Sequence, residues 1–193
     1  MIINKLNGPI WLMQPIPYFG EKLEGDWIIE PKIDGWRMQI IKCADERTEC
    51  WGRRLDKKPD WSEKLDCLTK ATKNLPNGTL LDCELFSSGG RRFIPSLLTK
   101  KSKIKPIIYV FDIIYYNNVF VGNLSLKQRK TILTRLTLKS PLQPVKYMKY
   151  NGKLEFKVKQ EHEGIVLKNL DSKYNIGKDA PLATMDWRKI KWR

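Results

Sequence analysis

Periodicity divides this chain into many short strands and few helices. Thr79 to Phe86 alternates: Leu81, Cys83 and Leu85 share one face, and Leu80, Asp82, Glu84 and Phe86 share the other. Ile107 to Tyr116 is apolar on both faces and reads as a central strand covered on both sides. Trp27-Ile28-Ile29 and Met38-Gln39-Ile40-Ile41 predict two strands flanking an Asp34-Gly35 turn, and residues 47–52 a partner for the second. Residues 144–149 and 154–159 are strand-like, separated by the hairpin signal Asn151-Gly152. Ile165 to Lys168 and Trp187 to Arg193 complete the set.

Helical spacing occurs in three places. Asp60 and Glu63 have the spacing of a capping box, and Trp61, Leu65, Leu68 and Leu75 fall on one face, so a helix is expected to about Asn74. A short helix is expected from Pro95 to Lys100. A third, capped by Ser125, is expected from Leu126 to about Leu138, with Leu126, Ile132, Leu133 and Leu136 inward. Residues 1–20 carry three prolines and little periodicity, and read as an N-terminal arm on a single domain spanning 1–193. The fold class is α+β, with antiparallel sheets flanked by helices, because strands and helices do not alternate as a doubly wound sheet requires.

Composition narrows the partners. Net charge is +15, from 36 Lys and Arg against 21 Asp and Glu, which favours a polyanion, nucleic acid first. No apolar run approaches the roughly 20 residues that span a bilayer, and no membrane association is expected. The N-terminus has no signal-peptide pattern. Four cysteines without a Cys-x-x-Cys pair, and a single histidine, argue against structural zinc and for free thiols in a reducing cytosol.

The candidate chemistry begins at Lys32. Pro31 stiffens its support and Gly35, in the turn that follows, allows close backbone approach. A lysine mounted this way suits nucleophilic work, provided burial or a neighbouring cation such as Arg37 frees its amine. Glu84 shares its face with apolar Leu80 and Phe86, so its carboxylate wants a partner: a ribose hydroxyl, a cation, or simply Arg37 or Arg53. Phe111 in the central strand is core or a stacking surface for a base. Glu163 before Gly164 is a solvated turn carboxylate or a ligand to phosphate-bound Mg²⁺. Lys189 and Lys191 point the same way, roughly 7 Å apart, a spacing for successive phosphates or for guarding a sheet edge.

Together these stretches resemble the covalent nucleotidyltransferase superfamily, and within it the ATP-dependent DNA ligases. Glu30-Pro31-Lys32-Ile33-Asp34-Gly35-Trp36-Arg37 is similar to the nucleophile motif Glu-x-Lys-x-Asp-Gly-x-Arg. Trp51-Gly52-Arg53-Arg54 resembles a weakened Ser-Arg-x-Gly, leaving Arg53 and Arg54 both open, and Asp82-Cys83-Glu84-Leu85 resembles Asp-Gly-Glu-Leu with Cys83 for glycine. Phe111-Asp112, Glu163-Gly164-Ile165-Val166-Leu167-Lys168 and Trp187-Arg188-Lys189-Ile190-Lys191 match three further motifs in family order.

The resemblance implies a nucleotidyltransferase (ATP-grasp-like) fold and a set of roles. Lys32 would attack the α-phosphate of ATP and hold AMP. Glu30 would bind the adenine amino group, Phe111 would stack on the ring, Arg53 and Glu84 would hold ribose, and Arg37 ribose or phosphate. Glu163, with Glu84, would place Mg²⁺ or Mn²⁺, and Lys189 and Lys191 would neutralise the phosphates. AMP would then pass to the 5′-phosphate of nicked duplex DNA, in repair, replication or recombination.

The resemblance further implies a monomer in the cytoplasm, nucleoid-associated in a bacterium or phage. The family continues beyond the last lysine motif into an OB-fold domain. None is expected in this chain, which stops two residues after Lys191, so it reads as an excised catalytic domain, with that part supplied elsewhere, or as a naturally minimal enzyme. RNA ligases and mRNA-capping guanylyltransferases share Lys-x-Asp-Gly, and a non-catalytic nucleic-acid-binding module of the same fold would fit the charge. The Trp187–Lys191 motif and Glu30-Pro31-Lys32 lean toward DNA ligase.

Overall fold

The computed structural model describes residues 6–99, 103–154 and 162–192. The first sheet contains β1 (Gln14–Pro17), β2 (Trp27–Ile33), β9 (Met148–Lys149), β10 (His162–Asn169) and β11 (Ala183–Lys191), in the order β1-β11-β10-β2-β9. The second runs β4-β3-β5-β6-β7, built from β3 (Trp36–Lys42), β4 (Thr48–Gly52), β5 (Thr79–Ser87), β6 (Pro106–Tyr116) and β7 (Val119–Phe120), with β8 (Leu142–Pro144) beside β6. The helices are α1 (Leu68–Ala71), α2 (Ile94–Leu97) and α3 (Leu126–Arg135). Pairing is antiparallel except at β1/β11 and β6/β8.

Alternation explains the faces of the first sheet. Trp27 and Ile29 of β2 pack with Ile165 and Leu167 of β10 on one side. Glu30 and Lys32 of β2, and Trp187, Lys189 and Lys191 of β11, lie at the alternate positions and face a cleft between the sheets. A second cluster, with Leu12, Met13, Ile114, Tyr115, Tyr174 and Trp187, reaches the cleft at Trp187. The largest core lies on the other face of the second sheet, where β3, β5 and β6 meet the helices.

Two expectations need correction, and the N-terminal arm gains a strand. The helix over 60–74 is instead a 3-10 turn at Glu63–Leu65 followed by the single turn α1. Asp60 accepts from the Ser62 backbone at 2.9 Å, and Ser62 Oγ accepts from the Cys50 amide at 3.0 Å. The segment is thus tied to the edge of β4 where a helix would begin. Leu65, Leu68 and Leu75 are nonetheless buried, so the apolar positions were legible and the element was not. The segment 144–149 splits between two sheets as β8 and β9. The N-terminal stretch contributes β1, and Leu12 and Met13 are buried. The strand expected at 154–159 lies outside the described residues apart from Leu154, which is in no strand. Cys50 and Cys83 are buried free thiols, Cys43 is half-exposed and Cys67 exposed.

Candidate active site

A cleft of about 640 Å³ opens between the two sheets. Lys32, Glu30, Arg37, Arg53, Glu84, Phe111, Glu163, Lys189 and Lys191 all line it, as does Arg54. Nine basic side chains and three carboxylates face this space, so it attracts a compact polyanion.

Bulges aim two of these side chains. Strict alternation would point Glu163 with Ile165, away from the cleft. The β10/β2 register slips between His162 and Gly164, and Glu163 turns inward. Gly164 makes this possible, since a Cβ there would lie 1.9 Å from the Ile190 carbonyl oxygen. In β6, Asp112 opposes Asp82 while Val110 opposes Cys83, so Phe111 is the extra residue of a bulge. Its ring packs toward Trp187, 6.4 Å between centroids, at the cleft.

Lys32 Nζ pairs with one oxygen of Glu163, and Lys191 Nζ with the other at 3.0 Å. Burial pushes the Glu163 carboxyl upward, but hydrogen bonds from Lys32 and Lys191 outweigh it and hold it below the usual range. Burial, then the nearby Lys32, Lys191 and Arg53 cations, lower the Lys189 ammonium. Cations crowded like this are relieved by a bound phosphate chain.

Arg37 lines the cleft but forms its ion pair with Asp82, not with Glu84. Its guanidinium forms a fork on Asp82, at 3.0 and 2.6 Å, and donates to the Met13 carbonyl at 2.7 Å. Tyr174 donates to the same carboxylate at 2.6 Å. Glu84, directly opposite Arg37 in the sheet, is left without that arginine as an ion-pair partner. The Asp34-Gly35 turn closes on Glu84: a Cβ at Gly35 would lie 2.7 Å from Glu84 Cγ.

Burial raises the Glu84 carboxyl to about 7 despite the opposing pull of Lys32 and Arg37. The ordinary value is 4.5. Between these values the unfolded chain has released the proton and the folded chain still holds it, so rising pH favours unfolding. The melting temperature is therefore expected to fall from pH 5 to pH 8 in the native protein and to fall less in Glu84→Gln. Parallel curves for the two would remove Glu84 as the cause.

Three contributors carried no expected role. Glu30 is 2% exposed, and its two oxygens are held by Lys130 and by Lys168, the latter at 2.7 Å. Lys168 Nζ also lies 4.5 Å from the Phe111 ring centre and 4.0 Å from that of Trp187. Burial lowers the Lys168 ammonium despite Glu30. Asp82 anchors Arg37. The signal for Lys130 was available: it follows Leu126 by four residues and precedes Leu133 by three, so a charge sits on the inward face of α3.

No group of three or more His, Cys, Asp or Glu side chains among the described residues could cage a metal ion. Glu84 and Glu163 bring hard carboxylate oxygens to one cleft, which fits Mg²⁺ held by one or two carboxylates and substrate phosphates.

The chain is similar to known proteins in sequence and in fold. A family model described as the ATP dependent DNA ligase domain matches residues 13–191. DNA ligase 4 of Kluyveromyces lactis is 31% identical over 202 residues, covering 88% of this chain and 22% of that protein. The SPbeta prophage-derived DNA ligase-like protein LigB of Bacillus subtilis is 29% identical over 174 residues, covering 86% of this chain and 61% of the relative. The chain thus spans about a fifth to three fifths of the length of these two curated relatives. A mycobacterial DNA ligase D, solved in complex with ATP and MES, superposes with a TM-score of 0.66 at 18% identity, covering 94% of this chain and 60% of that one. The ligase domain of M. tuberculosis LigD gives 0.65 at 19% identity, covering 93% of this chain and 59% of that one. At these identities the likeness speaks for the fold, the nucleotidyltransferase domain of ligases.

Proposed function

The chain belongs to the ATP-dependent DNA ligase domain family, and from that premise we propose that it is the adenylation domain of an enzyme that seals nicked duplex DNA through a lysyl-AMP intermediate. The observation carrying the reading is that Lys32, Glu84, Glu163, Lys189 and Lys191 share one basic cleft with Phe111 and Glu30.

Adenine stacks on Phe111 with its edge toward Glu30. Ribose lies toward Glu84 and Arg53, and the triphosphate runs along Lys32, Lys189 and Lys191. Arg37 acts on ribose or phosphate from its anchor on Asp82. Lys32 must shed a proton before it attacks, and the Glu163 carboxylate, hydrogen-bonded to it, orients the side chain in the cleft. The Nζ–phosphorus bond forms as the bond to the pyrophosphate oxygen breaks. Lys189 and Lys191 meet the charge that develops on the transferred and leaving groups. Glu163 and Glu84 would hold a divalent cation, Mg²⁺ or Mn²⁺, which when bound supplies further charge neutralisation on the phosphates.

AMP then moves to the 5′-phosphate at the nick, and the neighbouring 3′-hydroxyl displaces it. The net charge of +15 grips the duplex backbone without reading its bases. An OB-fold domain, in a longer chain or a separate protein, would clamp the DNA and orient pyrophosphate. The domain acts as a monomer.

Nicked DNA and nicked RNA duplexes offered side by side with ATP test the substrate. Sealing or 5′-adenylation of the DNA is the expected outcome. Preferential modification of RNA, or covalent labelling from GTP in place of ATP, would overturn the reading.

A further inference from the structure

We propose that Lys130 is a positioning residue for nucleobase selection, its single ammonium fixing both the carboxylate that reads the base edge and the backbone of the ring that stacks on the base. The inference rests on reading the cleft as an ATP site.

Lys130 is 4% exposed and reaches 100 residues along the chain to pair with Glu30. The same Nζ donates to the Phe111 carbonyl at 2.8 Å. Phe111 is the bulged residue of β6, so the sheet ladder alone does not fix its position. Its neighbour Asp112 is held by Arg129, the residue before Lys130, at 2.8 and 3.0 Å. Two consecutive side chains of α3 thus grip two consecutive residues of the bulge. Holding a carbonyl needs only a neutral donor. An ammonium that also pairs with Glu30 does more.

The donors left over beside Glu30 point to a ligand that offers an acceptor. One carboxylate faces two ammonium groups in a place that almost no water reaches. Lys168 Nζ is buried and paired with Glu30 at 2.7 Å, which takes up one of its three N–H donors. Lys168 therefore has donors to spare toward the cleft it lines. Adenine offers an amino donor beside a ring-nitrogen acceptor, whereas guanine at the same edge offers an oxygen acceptor beside an N–H donor. An amino group on Glu30 and a ring nitrogen on Lys168 suit adenine. The same register would set guanine's oxygen against the carboxylate and its N–H against the ammonium.

Which purine fits therefore depends on where Glu30 is held. Lys130 holds one oxygen and leaves the other to Lys168. Without it, Glu30 can swing wholly onto Lys168, and the fixed donor–acceptor order is lost.

The test is covalent labelling of the native protein, Lys130→Met and Lys130→Arg with ATP and GTP, each labelled in the α-phosphate. Lys130→Met is expected to lose about 10-fold in its ATP-over-GTP preference, the size of one charged hydrogen bond. The loss should come chiefly through a raised KM for ATP, with the maximal rate within about 3-fold of native. Lys130→Arg, which keeps the charge, should recover most of the preference. Should Lys130→Met fail to fold, as judged by circular dichroism, Lys130→Gln keeps a donor for the Phe111 carbonyl and carries the same prediction. An unchanged preference in the neutral variant, or no recovery with arginine, overturns the inference. Native protein that takes no label from ATP would instead sink the functional reading itself.

Discussion

Lys32→Ala is expected to form no covalent AMP adduct with ATP, a loss of at least about a thousand-fold, the scale seen when a nucleophile is removed. The mutation takes away the atom that makes the bond and also frees Glu163, which Lys32 and Lys191 now hold between them. Lys32→Arg separates the two effects. It restores a cation for Glu163, but a guanidinium stays protonated and cannot attack. Both variants should be unlabelled. Duplex DNA binding should change by less than about 3-fold in Lys32→Arg, because non-specific affinity follows total charge. Gel-resolved labelling and a filter-binding titration supply the two readings. Label retained in either variant would move the nucleophile elsewhere.

The largest expected effect on stability is at Arg129 and Asp112, both fully buried. The guanidinium forks onto the carboxylate and also donates to the carbonyls of Leu124 at 2.7 Å and Ser172 at 3.0 Å. Arg129→Met leaves a buried carboxylate with its main partner gone, a cost of about 3–5 kcal/mol. For a domain of this size that lowers the melting temperature by about 10 °C. Adding Asp112→Asn to Arg129→Met should recover part of the loss, since no bare charge then remains.

The pair also predicts acid behaviour. Burial raises the Asp112 carboxyl, but Arg129 outweighs it and holds it below the ordinary 3.8. Its stabilisation is present above that value and lost as pH falls through the lower folded value. Thermal melts of the single and double variants against pH check both statements. A drop in Arg129→Met of less than about 1 kcal/mol, the level of a surface pair, would show the pair to be dispensable.

Much of the fold was legible because strand alternation is local. Lys32, Glu84, Lys189 and Lys191 sit on strands whose faces could be read from neighbours two residues away. The inward turn of Glu163 and the exposure of Phe111 to the cleft depend on bulges, which are relations between strands and leave no local pattern. Partners hid for the same reason. Asp82 and Arg37 are 45 residues apart, Lys130 and Glu30 100 apart. The false helix after Asp60 arose because Trp61 and Ser62 bond to Cys50 of β4 where a helix would start, while the Asp60 side chain only accepts from Ser62. The start of α3 was legible because Ser125 is a local cap, while its end, expected near Leu138, comes at Arg135.

The proposed activity depends on the Lys32 amine becoming bonded to the α-phosphorus of ATP. The intact mass of the native protein after incubation with ATP and a divalent cation tests this directly. A species heavier by one adenylyl group, mapping to Lys32 and stripped off by added pyrophosphate, is the predicted result. A protein of unchanged mass, or an adduct on another residue that pyrophosphate does not remove, would contradict the account.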